Sequence, residues 1–213
     1  MNNNKSPGPE GLQKEYYSTM WEEIKYDILS YIQGLDLHKE LPQQLTTGAI
    51  KLLYKKGDPR LLKNWRPISL LNVDFKLITS LISRRLSKVL NKLIGPHQSC
   101  AIKGRYMIEN SISIELLLQV NEFHYNKILD RQDDTIMSLD MEKAFDRVEH
   151  EYLFQILDKM NIGKHLINKI QLIYRNIHQQ VETPWGYTDK IKIKRGIRQG
   201  CALSMTLFTI EEE

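Results

Sequence analysis

Apolar residues recur at helical spacing through most of this chain. Between Gly11 and Tyr31 the recurring set is Tyr16, Tyr17, Met20, Trp21, Ile24, Ile28 and Leu29. Asn72 to Leu93 carries Val73, Leu77, Ile78, Leu81, Ile82, Leu86, Val89 and Leu90, with Arg84, Arg85 and Lys88 on the outer side. The same period predicts helices over Ser111 to Tyr125, Glu149 to Met160 and Lys164 to Gln179, with a further one from Ala202 to Ile210. Period-two alternation is confined to short segments. Ala49 to Tyr54 reads as a strand, as does Lys190 to Lys194, where Lys and Ile alternate. Ile136, Ser138 and Asp140 alternate with Met137 and Leu139, which predicts a half-buried strand ending on a carboxylate. Trp65-Arg66-Pro67 is extended, because the residue before a proline is pushed away from helix. Ser6 to Pro9, Lys55 to Pro59, Gly95-Pro96, Thr183 to Gly186 and Gly196 to Gly200 punctuate these elements as turns. Helices packed with separated strand segments make the expected class α+β, in two lobes.

Composition changes this picture little. The 213 residues are 41% hydrophobic and 26% charged, which suits a packed globular core. No apolar run approaches the ~18 residues of a membrane span, and the N-terminus lacks a signal-peptide pattern. The two cysteines, Cys100 and Cys201, give no disulfide framework and no metal-ligand spacing. The expected location is intracellular, cytoplasmic or nuclear. Charge adds more. The net is only +4, yet 13 of the 30 basic and 2 of the 26 acidic residues lie between Leu45 and Arg105. That lobe carries +11, and the rest of the chain has 17 basic against 24 acidic residues. A basic lobe beside an acidic one suits a polyanion held on one side of the molecule. Solvated helix faces are the plainer alternative.

The candidate chemistry centres on Ile136 to Val148, IMSLDMEKAFDRV. A carboxylate at a strand end, followed by a turn and helix, can hold a hard divalent cation that takes its other ligands from water and phosphate. A lone Asp there is also a common cap or turn residue. Phe145 and a second carboxylate, Asp146, follow, and Asp146 reads as structural.

Five blocks, in order, resemble the reverse transcriptase domain of LINE-type, non-LTR retrotransposons. They are NKSPGPEG (Asn4 to Gly11), GAIKLLYKKGDPRLLKNWRPISLLNVDFKLITSLISRRL (Gly48 to Leu86), HQSCAIKGR (His97 to Arg105), SLDMEKAFDRV and RGIRQGCALSMTLF (Arg195 to Phe208). The resemblance implies a right-hand polymerase fold, with residues 1–110 mainly fingers and 111–213 a partial palm. It implies two-metal nucleotidyl transfer with Mg²⁺, Mn²⁺ being the alternative, acting on an RNA template, a DNA primer and deoxynucleoside triphosphates. Asp140 resembles the first catalytic aspartate, bridging both metals, with the Met141 carbonyl as a further ligand. Ala144 and Phe145 resemble the nucleotide pocket, the Phe145 ring closing against a ribose 2′-hydroxyl. Lys55, Lys56 and Arg66 resemble the fingers residues on the triphosphate, where a guanidinium fork binds two oxygens at once. Gln199 and Gly200 resemble the loop against the incoming nucleotide and template. Lys103 and Arg105 are expected on nucleic-acid backbone.

Departures from the family pattern are Glu10 for Asp, Ala202 for Pro and Met205 where Ser-Pro is usual. The family's aromatic-x-Asp-Asp hairpin and thumb would follow Phe208. The sequence ends at Glu213, so the expectation is a fragment without polymerase activity of its own. A non-catalytic nucleic-acid-binding relic and an unstable fragment are the alternatives.

Overall fold

The computed structural model describes residues 3–37, 39–125 and 136–212, with the side chains of residues 36 and 121–125 left aside. Two helices open it, α1 (Lys14–Thr19) and α2 (Trp21–Gln33), and a short α3 (Gln43–Thr46) leads into strand β1 (Thr47–Tyr54). Strand β2 (Trp65–Leu70) returns along β1. Then follow α4 (Val73–Leu86), α5 (Leu90–Leu93), α6 (Met107–Tyr125), α7 (Ala144–Arg147), α8 (His150–Lys159) and α9 (Lys164–Arg175). Strands β3 (His178–Thr183), β4 (Gly186–Tyr187) and β5 (Ile191–Lys192) precede the last helix, α10 (Ala202–Glu211). The mixture of helix and sheet is α+β, as expected.

One sheet organises the molecule, in the order β2-β1-β3-β4, with β5 also on β3. β1 runs antiparallel to β2, pairing Ala49 with Leu70 and Leu53 with Arg66. It runs parallel to β3, pairing Thr47 with His178. A parallel pair needs a long crossover, here everything from β2 to α9. The core lies where α4, α8, α9 and α10 converge. Leu203, Leu207 and Ile210 of α10 are fully buried at i, i+4, i+7 spacing. They join Ile78, Ile82 and Leu86 of α4, Leu153 and Leu157 of α8, and Ile170 and Ile173 of α9 in one cluster.

Two expectations from the local pattern are corrected. Residues 136–140 form no strand; the segment is irregular and exposed, with Leu139 80% accessible. Alternation supplies the side chains of a strand, but a strand also needs a neighbour to take its backbone N–H and C=O groups. No described strand runs beside this one. The helix expected to reach Gln179 stops at Arg175, and His178 onward becomes β3. Here pairing with β1, some 130 residues earlier, overrides the helical spacing of Ile173, Tyr174 and Ile177. The predicted helices elsewhere are present, α6 starting four residues early, the first one divided at Met20 and the one expected from Asn72 to Leu93 divided by a turn at Ser87 to Val89 into α4 and α5. Among the described residues, no helix is long and apolar enough to cross a membrane.

The N-terminal segment docks on the start of α4. A Glu10 carboxylate oxygen accepts the Val73 N–H at 3.3 Å, and the Asn72 side-chain amide donates to the Gln44 carbonyl at 2.9 Å. Burial, with Asp74 beside it, pushes the Glu10 carboxyl from an ordinary 4.5 up to about 7, against the pull of the Val73 bond. Burial also raises Asp74. A carboxyl whose folded pKa is raised binds more protons in the folded state, so stability falls as pH rises from 4.5 through about 7. Glu10→Gln is therefore expected to flatten the fall in melting temperature between pH 5 and pH 8. Calorimetry at three pH values across that range checks it; an unchanged profile refutes it.

Candidate functional site

The segment from Ala144 to Val148 is fixed by the chain that precedes α10. Gly196 donates its N–H to the Val148 carbonyl at 2.7 Å, and Ile197 to the Phe145 carbonyl at 2.8 Å. Glu149 and Arg195 form an isolated antiparallel bridge. Gly196 sits at φ +87°, where a Cβ would lie 3.1 Å from the Asp146 Cα and carbonyl oxygen. A side chain there would push the two segments apart. The Phe145 ring is half-buried and stacks on Phe208 of α10, centroids 4.6 Å apart and planes 15° from parallel. So Phe145 is packed into the core edge, and its backbone carbonyl is part of the joint.

The Gln199–Gly200 turn closes over β2. Gly200 has φ +102°, and a Cβ on it would stand 2.8 Å from the Ser69 carbonyl oxygen. Both the backbone angle and the close approach demand glycine. Gly200→Ala is expected to lower stability by about 1–3 kcal/mol. Urea unfolding would measure it, and a loss below the error of the fit would show that the turn relaxes freely. A cleft of about 190 Å³ lies beside the turn, lined by Pro67, Ser69, Asp146, Gln179, Arg195 and Gln199 among others. Gln179 donates its side-chain amide to the Ser69 hydroxyl at 2.9 Å on this wall.

Sequence reasoning passed over Arg198. Its neighbours in sequence are loop residues, and a lone Arg in a loop reads as surface. In the fold it is 5% exposed. Its guanidinium lies 4.3 Å from the centre of the Phe75 ring, and Nη1 donates to the Thr46 carbonyl at 2.8 Å. Burial pushes its pKa down, while nearby Cys201 and Tyr174 oppose that shift. Arg198 thereby ties the turn to the start of β1 and to α4. No local signal could have found it, because the ring and the carbonyl that hold it come from other elements.

The other expected residues are spread around this joint. Asp140 and Met141 are exposed, in the irregular segment ahead of α7. Among the described residues no group of three or more His, Cys, Asp or Glu side chains could hold a metal ion. The described donor set thus does not fit a two-metal centre, and no step through metal follows from it. Lys55 and Lys56 are exposed in the β1–β2 connection. Arg66 is exposed and pairs with Leu53, whereas Pro67 pairs with Leu52. Side chains alternate along a strand, so Arg66 stands on the sheet face opposite Pro67 and Ser69. The cleft gathers Gln199 with Asp146, and Arg66 stands apart from it. Lys103 is exposed. Arg105 is engaged within the chain. Its guanidinium donates to the carbonyls of Ile94 at 2.9 Å and Gln98 at 2.8 Å, and also to Gly95 and Asn91. It clamps the chain around the end of α5 through both of its terminal nitrogens.

The chain belongs to the reverse transcriptase (RNA-dependent DNA polymerase) family, whose pattern matches residues 53–211. It is 37% identical to the transposon TX1 uncharacterized 149 kDa protein of Xenopus laevis, over all of this chain and 16% of that protein. It is 28% identical to a retrovirus-related Pol polyprotein from the type-1 retrotransposable element R2 of Popillia japonica, over 84% of this chain and 24% of that one. The chain therefore spans under a quarter of the length of either relative. Among solved structures, apo telomerase from Candida tropicalis, truncated from its C-terminal domain, superposes with a TM-score of 0.48 at 15% identity, over 91% of this chain and 43% of that one. That likeness is too loose to carry a fold assignment.

Proposed function

We propose that this chain is the nucleotide- and template-handling part of an RNA-directed DNA polymerase of the non-LTR retrotransposon type. Residues 1–110 would be mainly fingers and 111–213 part of the palm of a right-hand polymerase. The observation that carries the reading is the family match over residues 53–211, which contains both the Asp140–Phe145 segment and the Gln199–Gly200 turn. The main-chain joint between Phe145 and Ile197 supports it, because it brings two of the expected site segments together. Asp140, with the Met141 carbonyl, would supply part of the ligand set for Mg²⁺ or Mn²⁺, the remaining carboxylates coming from elsewhere in the polymerase. Gln199 and Gly200 would meet the nucleotide and template. Lys55 and Lys56, from the β1–β2 connection, and Arg66, from the opposite face of the sheet, would meet phosphate. The partners would be an RNA template, a DNA primer and deoxynucleoside triphosphates, inside the cell.

One Asp cannot hold two divalent cations against their mutual repulsion. The 213-residue chain alone is thus expected to extend no primer on an RNA template with Mg²⁺ and deoxynucleotides. Incorporation above a no-enzyme control, abolished by Asp140→Ala, would overturn that expectation. The reading itself is tested on the nucleotide sequence beyond Glu213. An aromatic-x-Asp-Asp motif is expected there, and the polypeptide extended through it should incorporate deoxynucleotides and lose that activity on Asp140→Ala. An extended polypeptide that folds and holds primer–template yet incorporates nothing would refute the proposal.

A further inference from the structure

A second cleft, of about 550 Å³, lies where α8, α9 and the strand before the Gln199 turn meet. Four cations line it: Arg175, Lys192, Lys194 and Arg195. None of the four makes an ion pair among the described residues. Glu149 and Glu151 line the same cleft, yet leave the cations unpaired. Of the four, only Arg175 has a side-chain hydrogen bond among the described residues, to the Lys39 carbonyl at 3.0 Å. The floor carries the half-buried rings of His150 and Phe154, above a Tyr174 that is buried in the core. His150 meets Tyr174 edge-on with centroids 5.0 Å apart, and Phe154 at 6.4 Å. His150 is held there through Nε2, 2.9 Å from the Gly196 carbonyl oxygen. Arg195 and Ile193 line this cleft and the one beside Gln199, so the two back onto each other across a single strand of chain.

Unpaired cations converging from a helix and a strand repel one another, and an anion between them relieves that repulsion. Cations around the accessible His150 and Phe154 rings suit phosphate on the rim and a base against those two rings, which is how single strands are held without sequence preference. The cavity is of a size to hold one nucleotide unit. We propose that this cleft binds a nucleotide unit of single-stranded nucleic acid, outside the basic Leu45–Arg105 lobe. The proposal does not depend on polymerase activity: a chain that bound through this cleft and incorporated nothing would still satisfy it.

The test uses the whole 213-residue chain and a labelled oligouridylate, with anisotropy read across a salt series. Lys192, Lys194 and Arg195 are exposed, so their replacement by alanine should leave the urea midpoint unchanged. A single nucleotide unit presents one phosphate and shares the next, so at about 0.7 per lost phosphate contact Lys192→Ala/Lys194→Ala/Arg195→Ala should flatten the plot of log affinity against log salt by about 0.7–1.4. Lys55→Ala/Lys56→Ala/Arg66→Ala separates the basic lobe, and the effects of the two triple variants should add. An abasic oligomer of the same length should bind more weakly, and free uridine monophosphate should compete poorly. A cleft variant that keeps the wild-type affinity and slope overturns the proposal, as does a wild-type chain that binds no oligouridylate. Equal binding of the abasic oligomer overturns the base contact. Monophosphate competing as well as the strand, nucleotide for nucleotide, overturns the strand assignment.

Discussion

Leu207→Ala is expected to cost about 2–5 kcal/mol of folding free energy. Leu207 is fully buried on α10, in the cluster that α10 shares with α4, α8 and α9. Truncation removes the transfer free energy of its methyl groups and leaves a void that three helices must collapse to fill. A domain's whole margin is only ~5–15 kcal/mol, so the variant should unfold at markedly lower urea. Leu116→Ala on α6 is the contrast, because Leu116 is 55% exposed. Its effect should stay within about 0.5 kcal/mol. Equal losses in the two variants would show that α10 does not pack as described.

Affinity for single-stranded RNA should fall roughly 10²–10³-fold between 50 and 200 mM salt, for about six phosphate contacts. The basis is the +11 lobe, corrected for what the fold does with its cations. Lys51 pairs with Glu182, Arg60 pairs with Asp58, and Arg105 is tied to backbone carbonyls. Ten of the 13 basic residues of the lobe remain outside these contacts. Burial also lowers the pKa of Lys76. Anisotropy titrations at four salt concentrations would measure the slope. Binding that is flat across the range would exclude phosphate neutralisation as its source.

The sequence by itself determined the helices that carry their own apolar face. The segments Asn72 to Leu93, Glu149 to Met160 and Ala202 to Ile210 could be read because 3.6-residue periodicity is a local property of the chain, though the turn at Ser87 to Val89 that divides the first was not. The glycine-bracketed turn was legible for the same reason, since Gly196 and Gly200 mark positive φ. Family membership was legible because five blocks follow one another in the expected order. Only the tertiary structure decided which strands exist. β3 forms because β1 lies beside it, whereas residues 136–140 have the alternation of a strand and no described partner. Only the fold could bury Arg198, since Phe75 and the Thr46 carbonyl reach it from other elements. The joining of Phe145 to Ile197 and the commitment of Arg105 to carbonyls likewise depend on residues distant in sequence or on a chain reversal. A sequence records which groups each residue offers; pairing across the fold decides which of them remain free for a ligand.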